Sequence, residues 1–355
     1  MPAAMQQRLR QSWNYRGLLP RLLLPIATLY GALAAVRRQF YRWQWQKSHR
    51  VQVPVVVVGN VVAGGSGKTP VTIALVEHLT ATGWSVGVVS RGYGRSAHGC
   101  LEVTAASPPQ EAGDEPLLIH QKTGVPVFVG PSRFEAASAL LQRHPQTQVL
   151  VCDDGLQHYG LCRDVEICVF DDRGCGNGWL LPSGPLREYW PRALVAPAGQ
   201  TSCTTLVLHT GQSPAFPGLR GYRRLADFGI RKNGERIALA DLASPGSPPL
   251  IALAGTSQPE EFFTMLRAHG LVLQETLALP DHYDFDSWSR TFHGGRSLIC
   301  TEKDAVKLWR VAPDAIAVPL HFELEPAFWG QFDSLLQAGS AAKLSSLHGH
   351  TTTTT

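Results

Sequence analysis

The sequence predicts an α/β fold: a mostly parallel sheet with helices on both faces, followed by a smaller α/β unit. Three observations carry that prediction. Short apolar runs alternate with stretches of helical period from residue 53 to about 208. These runs are apolar on both sides, which suits parallel strands buried on both faces. A second, shorter alternation begins at Leu250, after a stretch rich in Gly, Pro and Ser.

In chain order, residues 1–50 form the first unit. They hold nine bases (Arg8, Arg10, Arg16, Arg21, Arg37, Arg38, Arg42, Lys47 and Arg50) and no acid, and the first acid in the chain is Glu77. Taking those nine from the net charge of +4 leaves −5 for residues 51–355. Trp13, Tyr15, Tyr30, Phe40, Tyr41, Trp43 and Trp45 lie among the bases, and fifteen uncharged residues separate Arg21 from Arg37. As a helix those fifteen reach ~22 Å, short of a ~30 Å hydrocarbon core unless Arg21 snorkels. An amphipathic helix lying in a membrane interface fits better than a spanning one. An ordinary core helix is the competing reading. A cleaved signal peptide is disfavoured, because arginines and aromatics, not a small-residue cleavage site, follow the apolar run.

Residues 51–210 form the main domain. Its strands are expected at Val53–Val58, Ser85–Val89, Val125–Val129, Val149–Cys152, Glu166–Phe170 and Thr205–Leu208. The helices between them are expected at Thr72–Thr80, Glu115–Lys122 and Arg133–Gln142. Residues 211–249 read as a hinge or connector with a turn at Asn233-Gly234. Residues 250–335 form the smaller unit: strand Leu250–Ala254, helix Pro259–His269, strand Val272–Leu277, helix Asp286–Phe292 and strand Ser297–Cys300. Residues 336–355 end in a low-complexity run and are expected to be disordered.

Val53–Val58 leads into Gly59-Asn60-Val61-Val62-Ala63-Gly64-Gly65-Ser66-Gly67-Lys68-Thr69, which makes the main domain P-loop NTPase-like. Gly64, Gly65, Ser66 and Gly67 let backbone N–H groups crowd around a nucleotide phosphate. Lys68 can reach the β- and γ-phosphates, the Thr69 hydroxyl can ligate Mg²⁺, and the helix that follows adds its positive end. The loop departs from the usual pattern at Val62, where a glycine is expected.

Val149–Cys152 ends in Asp153-Asp154, the form of a strand that holds Mg²⁺ across from such a loop. Strand-end acids can also be mere turn formers. Gly155-Leu156-Gln157-His158 follows, and Gln157 can position a nucleophile or phosphate. Asp114 and Glu115 open a predicted helix, where capping alone would explain them. Arg91, Tyr93 and Arg95, then Arg133, then the rigid run Pro182-Ser183-Gly184-Pro185-Leu186-Arg187-Glu188, lie at strand ends and suit a second anionic group on the substrate. Each is also explicable as a solvated charge. His282, between Asp281 and Tyr283, is either a proton shuttle or a structural turn residue. Thr301-Glu302-Lys303-Asp304 has capping-box spacing.

Cysteines at 100, 152, 162, 168, 175, 203 and 300 form no Cys-x-x-Cys pair, and their odd number argues against a disulfide framework. Hydrophobic content of 44% with 17% charge describes a folded domain. The Leu-rich N-terminal stretch favours lipid over nucleic acid as the partner of the basic segment.

Together these motifs resemble the tetraacyldisaccharide 4′-kinases of lipid A biosynthesis. The carrying residues are the glycine loop through Pro70, Ser90-Arg91-Gly92-Tyr93, Gly113-Asp114-Glu115-Pro116, Asp153-Asp154-Gly155-Leu156-Gln157, Leu181–Glu188, Asp281-His282-Tyr283 and Thr301–Lys307. They come in family order over about residues 10–330. Ser66 replaces the commoner Thr, and Tyr189 stands where Pro is frequent. The resemblance implies ATP-dependent phosphorylation of the 4′-hydroxyl of a lipid A disaccharide 1-phosphate, with Mg²⁺. It implies a peripheral enzyme, expected as a monomer, on the cytoplasmic face of the inner membrane of Gram-negative bacteria, where anionic lipid would attract the basic segment. It further implies Asp114 with His282 as the base assembly, aided by Lys68, Asp153 and Asp154. Thr69, Glu115 and Asp154 would hold the metal, and Tyr93, Arg133, Gln157, Arg187 and Glu188 the substrate. A switch ATPase of the partitioning type is the rival, but its signature lysine is replaced by Ala63.

Overall fold

The computed structural model describes residues 9–65, 67–95, 99–192, 203–244, 246–256, 258–280, 283–285 and 296–348. Ser66, Asp281, His282 and the helix expected at 286–292 lie outside the described residues.

Eight strands come first: β1 (Val55–Gly59), β2 (Val86–Ser90), β3 (Leu101–Val103), β4 (Val127–Val129), β5 (Val149–Asp153), β6 (Val165–Phe170), β7 (Thr204–His209) and β8 (Leu219–Leu225). The next six build a second sheet: β9 (Phe228–Ile230), β10 (Arg236–Ala238), β11 (Leu250–Ala254), β12 (Leu273–Ala278), β13 (Ser297–Thr301) and β14 (Ile316–Val318). The last strand, β15 (Leu320–Leu324), returns to the first sheet. The large sheet has the order β15-β8-β7-β6-β1-β5-β2-β4-β3, and the small one β10-β9-β14-β13-β11-β12. Among the described strands of the large sheet only β3 and β15, the two edges, are antiparallel to their neighbours. Both edges are therefore antiparallel additions, made by long crossovers, to a buried parallel core.

The alternation along β1 shows why both faces are covered. Val56 and Val58 face a core that includes Val71, Leu75 and Leu79 of the helix Lys68–Ala81 and Phe328 and Phe332 of the helix Pro326–His348. Val55 and Val57 face the other core, with Ala136 and Leu140 of the helix Arg133–Arg143 and with Leu156, Leu180 and Leu186 from irregular chain. Removing one of these valines would cost about 1–2 kcal/mol in transfer and cavity terms.

Two sequence-based expectations need correction. The stretch read as connector holds three strands: β8 joins the large sheet, and β9 and β10 join the small one. The chain crosses between sheets at Ala226 and again at Pro319, and these two crossings are tied by a hydrogen bond from Ala226 N to Pro319 O (2.9 Å). The tail expected to be disordered from 336 is helical through His348. Its Leu336 is buried against the large sheet, and Lys343 forms a buried ion pair with Asp164 (2.7 Å). Apolar and ionic docking on the sheet outweighs a composition that by itself suggested no structure.

The N-terminal segment forms the helices Leu18–Leu22 and Leu24–Arg42. Ala27 is buried and Tyr30 half-buried against the body, but Leu22, Ile26, Leu29, Leu33 and Val36 are exposed. Their spacing of four, three, four and three places them on one outward stripe. No described helix is long and apolar enough to cross a membrane.

Candidate active site

The carboxyl end of β1 lies between β6 and β5, and the phosphate loop leaves the sheet there. Ligands of open α/β sheets bind in such a crevice. Gly64 (φ 101°) and Gly67 (φ 79°) adopt left-handed backbone that suits glycine. Gly67 is the N-cap of the helix Lys68–Ala81, so Lys68 and Thr69 sit in its first turn, where the unpaired N–H groups face a ligand. Val62, the departure from the usual loop pattern, bridges antiparallel to Leu186. Ala63 N donates to Pro185 O (2.7 Å) and Arg187 N to Val61 O (2.7 Å). The loop's first half is thus extended chain paired with the 185–187 segment, and a β-branched residue serves there better than a glycine. This pairing brings Arg187 and Glu188 beside the phosphate loop.

The acids converge on the same place. Asp153 is buried, and its Oδ1 accepts a hydrogen bond from Thr72 Oγ1 (2.9 Å) on the loop's own helix, while Oδ2 has no partner. Burial, then the charges of Glu115 and Asp154, raise its pKa to about 7 against the pull of Lys68. Asp154 adopts a left-handed backbone (φ 47°) that turns its carboxylate toward Lys68 (3.7 Å) and Arg187 (3.3 Å). Burial would raise its pKa, but Lys68, Arg187 and Arg133 outweigh that and lower it. Two adjacent carboxylates are therefore pushed apart in acidity by their surroundings.

Asp114 and Glu115 start the helix Asp114–Thr123, and Gly113, not Asp114, is its N-cap. Both acids face the helix Glu302–Leu308, which follows β13 of the small sheet. Asp114 pairs with Lys307 (2.8 Å), Glu115 with Lys303 (3.7 Å), and Lys122 reaches back to Glu302. Thr301 does cap this helix, with its Oγ1 accepting from Asp304 N (3.2 Å), but the lysines that follow do more than lie in a capped turn.

The residues expected to hold substrate divide. Tyr93 is exposed on an open rim pocket with Arg91 and Arg95. Arg187 bridges Asp154 and Gln157 Oε1 (3.4 Å). Gln157 donates to Asn60 O (3.0 Å) and Glu188 (2.9 Å). Glu188 is buried and also accepts from Tyr159 Oη (3.1 Å). Arg133 is buried, not a solvated surface charge: it donates to the carbonyls of Asp153 (3.1 Å) and Asp154 (3.3 Å), and its Nε and Nη1 have no acceptor. Gln157 and Glu188 thus act as cross-links that fix the Asp153-Asp154 turn and the Arg187 loop.

Several residues at this site were assigned no role from the sequence. Arg173, locked by buried Asp171 (2.6 Å), donates to Gly65 O (2.9 Å) and braces the phosphate loop. Arg223 packs on Gly67. Lys303 and Lys307 lay inside a motif that capping explained. Only contacts distant in sequence reveal them.

A parallel sheet carrying a glycine-rich phosphate loop, its lysine and hydroxyl, and paired acids across from them defines a phosphotransferase that uses a nucleotide. The family model for "Tetraacyldisaccharide-1-P 4'-kinase" (LpxK) matches residues 19–337, and the chain belongs to that family. It is 54% identical over 354 residues to the tetraacyldisaccharide 4′-kinase of Polaromonas naphthalenivorans (strain CJ2), covering 98% of this chain and 100% of that one. It is 51% identical over 343 residues to the same-named protein of Acidovorax sp. (strain JS42), covering 96% and 98% respectively. The structure is similar to that of LpxK from Aquifex aeolicus in complex with ATP, with a TM-score of 0.74 and 27% identity over 91% of this chain and 99% of that one. The family's reaction transfers a phosphoryl group to the 4′-hydroxyl of the lipid A disaccharide precursor.

Proposed function

We propose that the chain carries out this transfer from ATP at the phosphate loop, on a lipid surface, with the residue roles that follow. The observation that carries the reading is the Lys68–Asp154–Arg187 cluster at the carboxyl end of β1. Two cations there share one carboxylate, an arrangement that can redistribute charge when phosphate arrives.

Phosphoryl transfer needs positioning and charge stabilisation more than covalent help. Lys68 and the N–H groups after Gly67 hold the β- and γ-phosphates. The donor set suits a hard divalent cation. Thr69 offers a hydroxyl, Asp153 an unpartnered buried carboxylate oxygen, and Glu115 and Asp154 stand nearby. Among the described residues no three His, Cys, Asp or Glu side chains converge as a ligand cage, so phosphate oxygens and water would complete the shell, as Mg²⁺ prefers. Bound there, the cation supplies charge neutralisation between the phosphates. Asp114, with His282, takes the proton of the sugar hydroxyl. Arg187 and Tyr93 face the acceptor, and the buried Arg133 acts from behind the Asp153-Asp154 turn.

The outward stripe Leu22–Val36 supports docking on an anionic leaflet, with Arg37, Arg42 and Lys47 at headgroup depth beside Trp43 and Trp45. The same helix touches the site's loop. Tyr30 Oη donates to Arg187 O (3.0 Å), and Arg38 lies 3.9 Å from Glu188. A monomer working on the cytoplasmic face of the inner membrane follows from this reading, with movement of the small-sheet unit about the Ala226 and Pro319 crossings as the closing step.

The test is transfer of labelled γ-phosphate from ATP to a tetraacyl disaccharide 1-phosphate in detergent micelles. Label on the lipid, lost in Lys68→Ala with the fold retained, is the expected result. ATP hydrolysis without lipid labelling would overturn the proposed transfer.

A further inference from the structure

Arg223, on β8, touches the phosphate loop and the small-sheet unit at once. Its Nη2 lies 2.6 Å from the position a Cβ on Gly67 would take, so the guanidinium fills the space where a side chain would stand. Nη2 also donates to Thr210 Oγ1 (3.3 Å), and Nη1 is ion-paired with Glu261 in the first turn of the helix Pro259–Ala268. Its Nε is buried with no acceptor.

Charge balance in this cleft makes the contact informative. Among the described residues, the charged side chains lining it are Lys68, Arg223 and Lys303 against Glu115, Glu261 and Glu302. Each of the three cations is already paired, Lys68 with Asp154, Arg223 with Glu261 and Lys303 with Glu115. Where these described charges balance, a polyphosphate gains a side-chain cation beyond the loop N–H groups and the proposed divalent cation by drawing one away from its acid. Glu261 has 36% of its side chain exposed and can rehydrate when released. Glu115 and Asp154 face the proposed cation and keep a use for their charge. Arg223 is therefore the cation whose recruitment costs least, and its planar fork suits two phosphate oxygens.

We propose that Arg223 contacts the nucleotide's phosphate chain, and that Glu261 is the acid it leaves to do so. This rests on reading the cleft as the ATP site. The exchange links phosphate capture to the small-sheet unit, because Glu261 belongs to that unit and Arg223 to the large sheet.

The experiment is titration of the full-length protein in detergent with ATP and with AMP. Arg223→Ala is expected to weaken ATP binding at least tenfold and AMP binding less than twofold, with Arg223→Lys between. Glu261→Gln is expected to tighten ATP several-fold and leave AMP unchanged. Equal losses for ATP and AMP, or a loss of ATP affinity in Glu261→Gln, would overturn the proposal and make the pair a strut between sheets. Should Arg223→Ala not fold, Arg223→Lys and Glu261→Gln decide by the same ATP-to-AMP comparison. Lys68→Ala separates the two levels. If it too leaves ATP binding intact, the cleft assignment fails; if it alone weakens ATP, only the Arg223 proposal fails.

Discussion

Lys307 Nζ lies 2.8 Å from Asp114 Oδ2, and this ion pair ties the last turn of a small-unit helix to the first residue of a main-sheet helix. Asp114 is 7% exposed. Taking away the lysine removes a counter-charge from a buried carboxylate, so Lys307→Met should cost about 3 kcal/mol in urea unfolding. It should also lower kcat, because Asp114 is the proposed base. A double-mutant cycle with Asp114→Asn measures the coupling. A coupling near zero would show that the pair holds nothing together.

The raised pKa of Asp153 makes a prediction about cation binding. Near pH 7 its carboxyl holds a proton for part of the time, since burial and the neighbouring acids Glu115 and Asp154 raise it to about 7. A divalent cation favours the ionised form, so Mg²⁺ binding at pH 7 should release roughly half a proton. Calorimetry in buffers of different ionisation enthalpy reads this directly. Heats independent of buffer would place the cation elsewhere.

His158 carries the opposite sign. Burial, followed by the charges of Arg133 and Arg91, lowers its pKa to about 4. The unfolded chain takes up a proton near pH 6.5 while the folded chain refuses it until about pH 4. Stability is therefore lost as pH falls through that window and is unaffected above it. His158→Gln should be more stable than the parent by about 2 kcal/mol at pH 4, with partial exposure discounted, and equal to it above pH 7. A difference constant across pH would refute the assignment. Asp153 has the reverse dependence in the same range, so His158→Gln must be compared with the parent at each pH.

The outward stripe predicts membrane behaviour. Replacing Leu22, Ile26, Leu29 and Leu33 by Gln removes apolar area from one exposed face and leaves buried Ala27 and the Tyr30 contact in place. Sedimentation with anionic vesicles should fall at least a hundredfold, while activity on detergent-dispersed substrate changes little. Unchanged sedimentation would remove this helix from the membrane contact.

Much of the core was legible in sequence because its strands are apolar on both sides. Strand Leu250–Ala254 lies where the residues suggested, and β1, β2 and β5 within two residues of it. β8 was missed because Leu219-Arg220-Gly221-Tyr222-Arg223-Arg224-Leu225 carries three arginines and a glycine, so its apolar period is broken. β15, the edge strand that pairs with β8, has only its last residue, Leu324, buried. Edge strands satisfy half their backbone through one neighbour and owe little to side-chain pattern.

The sequence by itself determined the local chemistry: a phosphate loop, its lysine and hydroxyl, and acids at strand ends. These depend on residues close together in the chain, where backbone geometry leaves few choices. It also determined an N-terminal segment whose charge and aromatic content set it apart. Tertiary structure alone decided which charges meet. It placed Asp114 against Lys307, turned Gln157 and Glu188 into cross-links, buried Arg133 under the Asp153-Asp154 turn and set Arg223 on Gly67. Electrostatic partners are chosen by distance and burial after packing, and no local pattern encodes either.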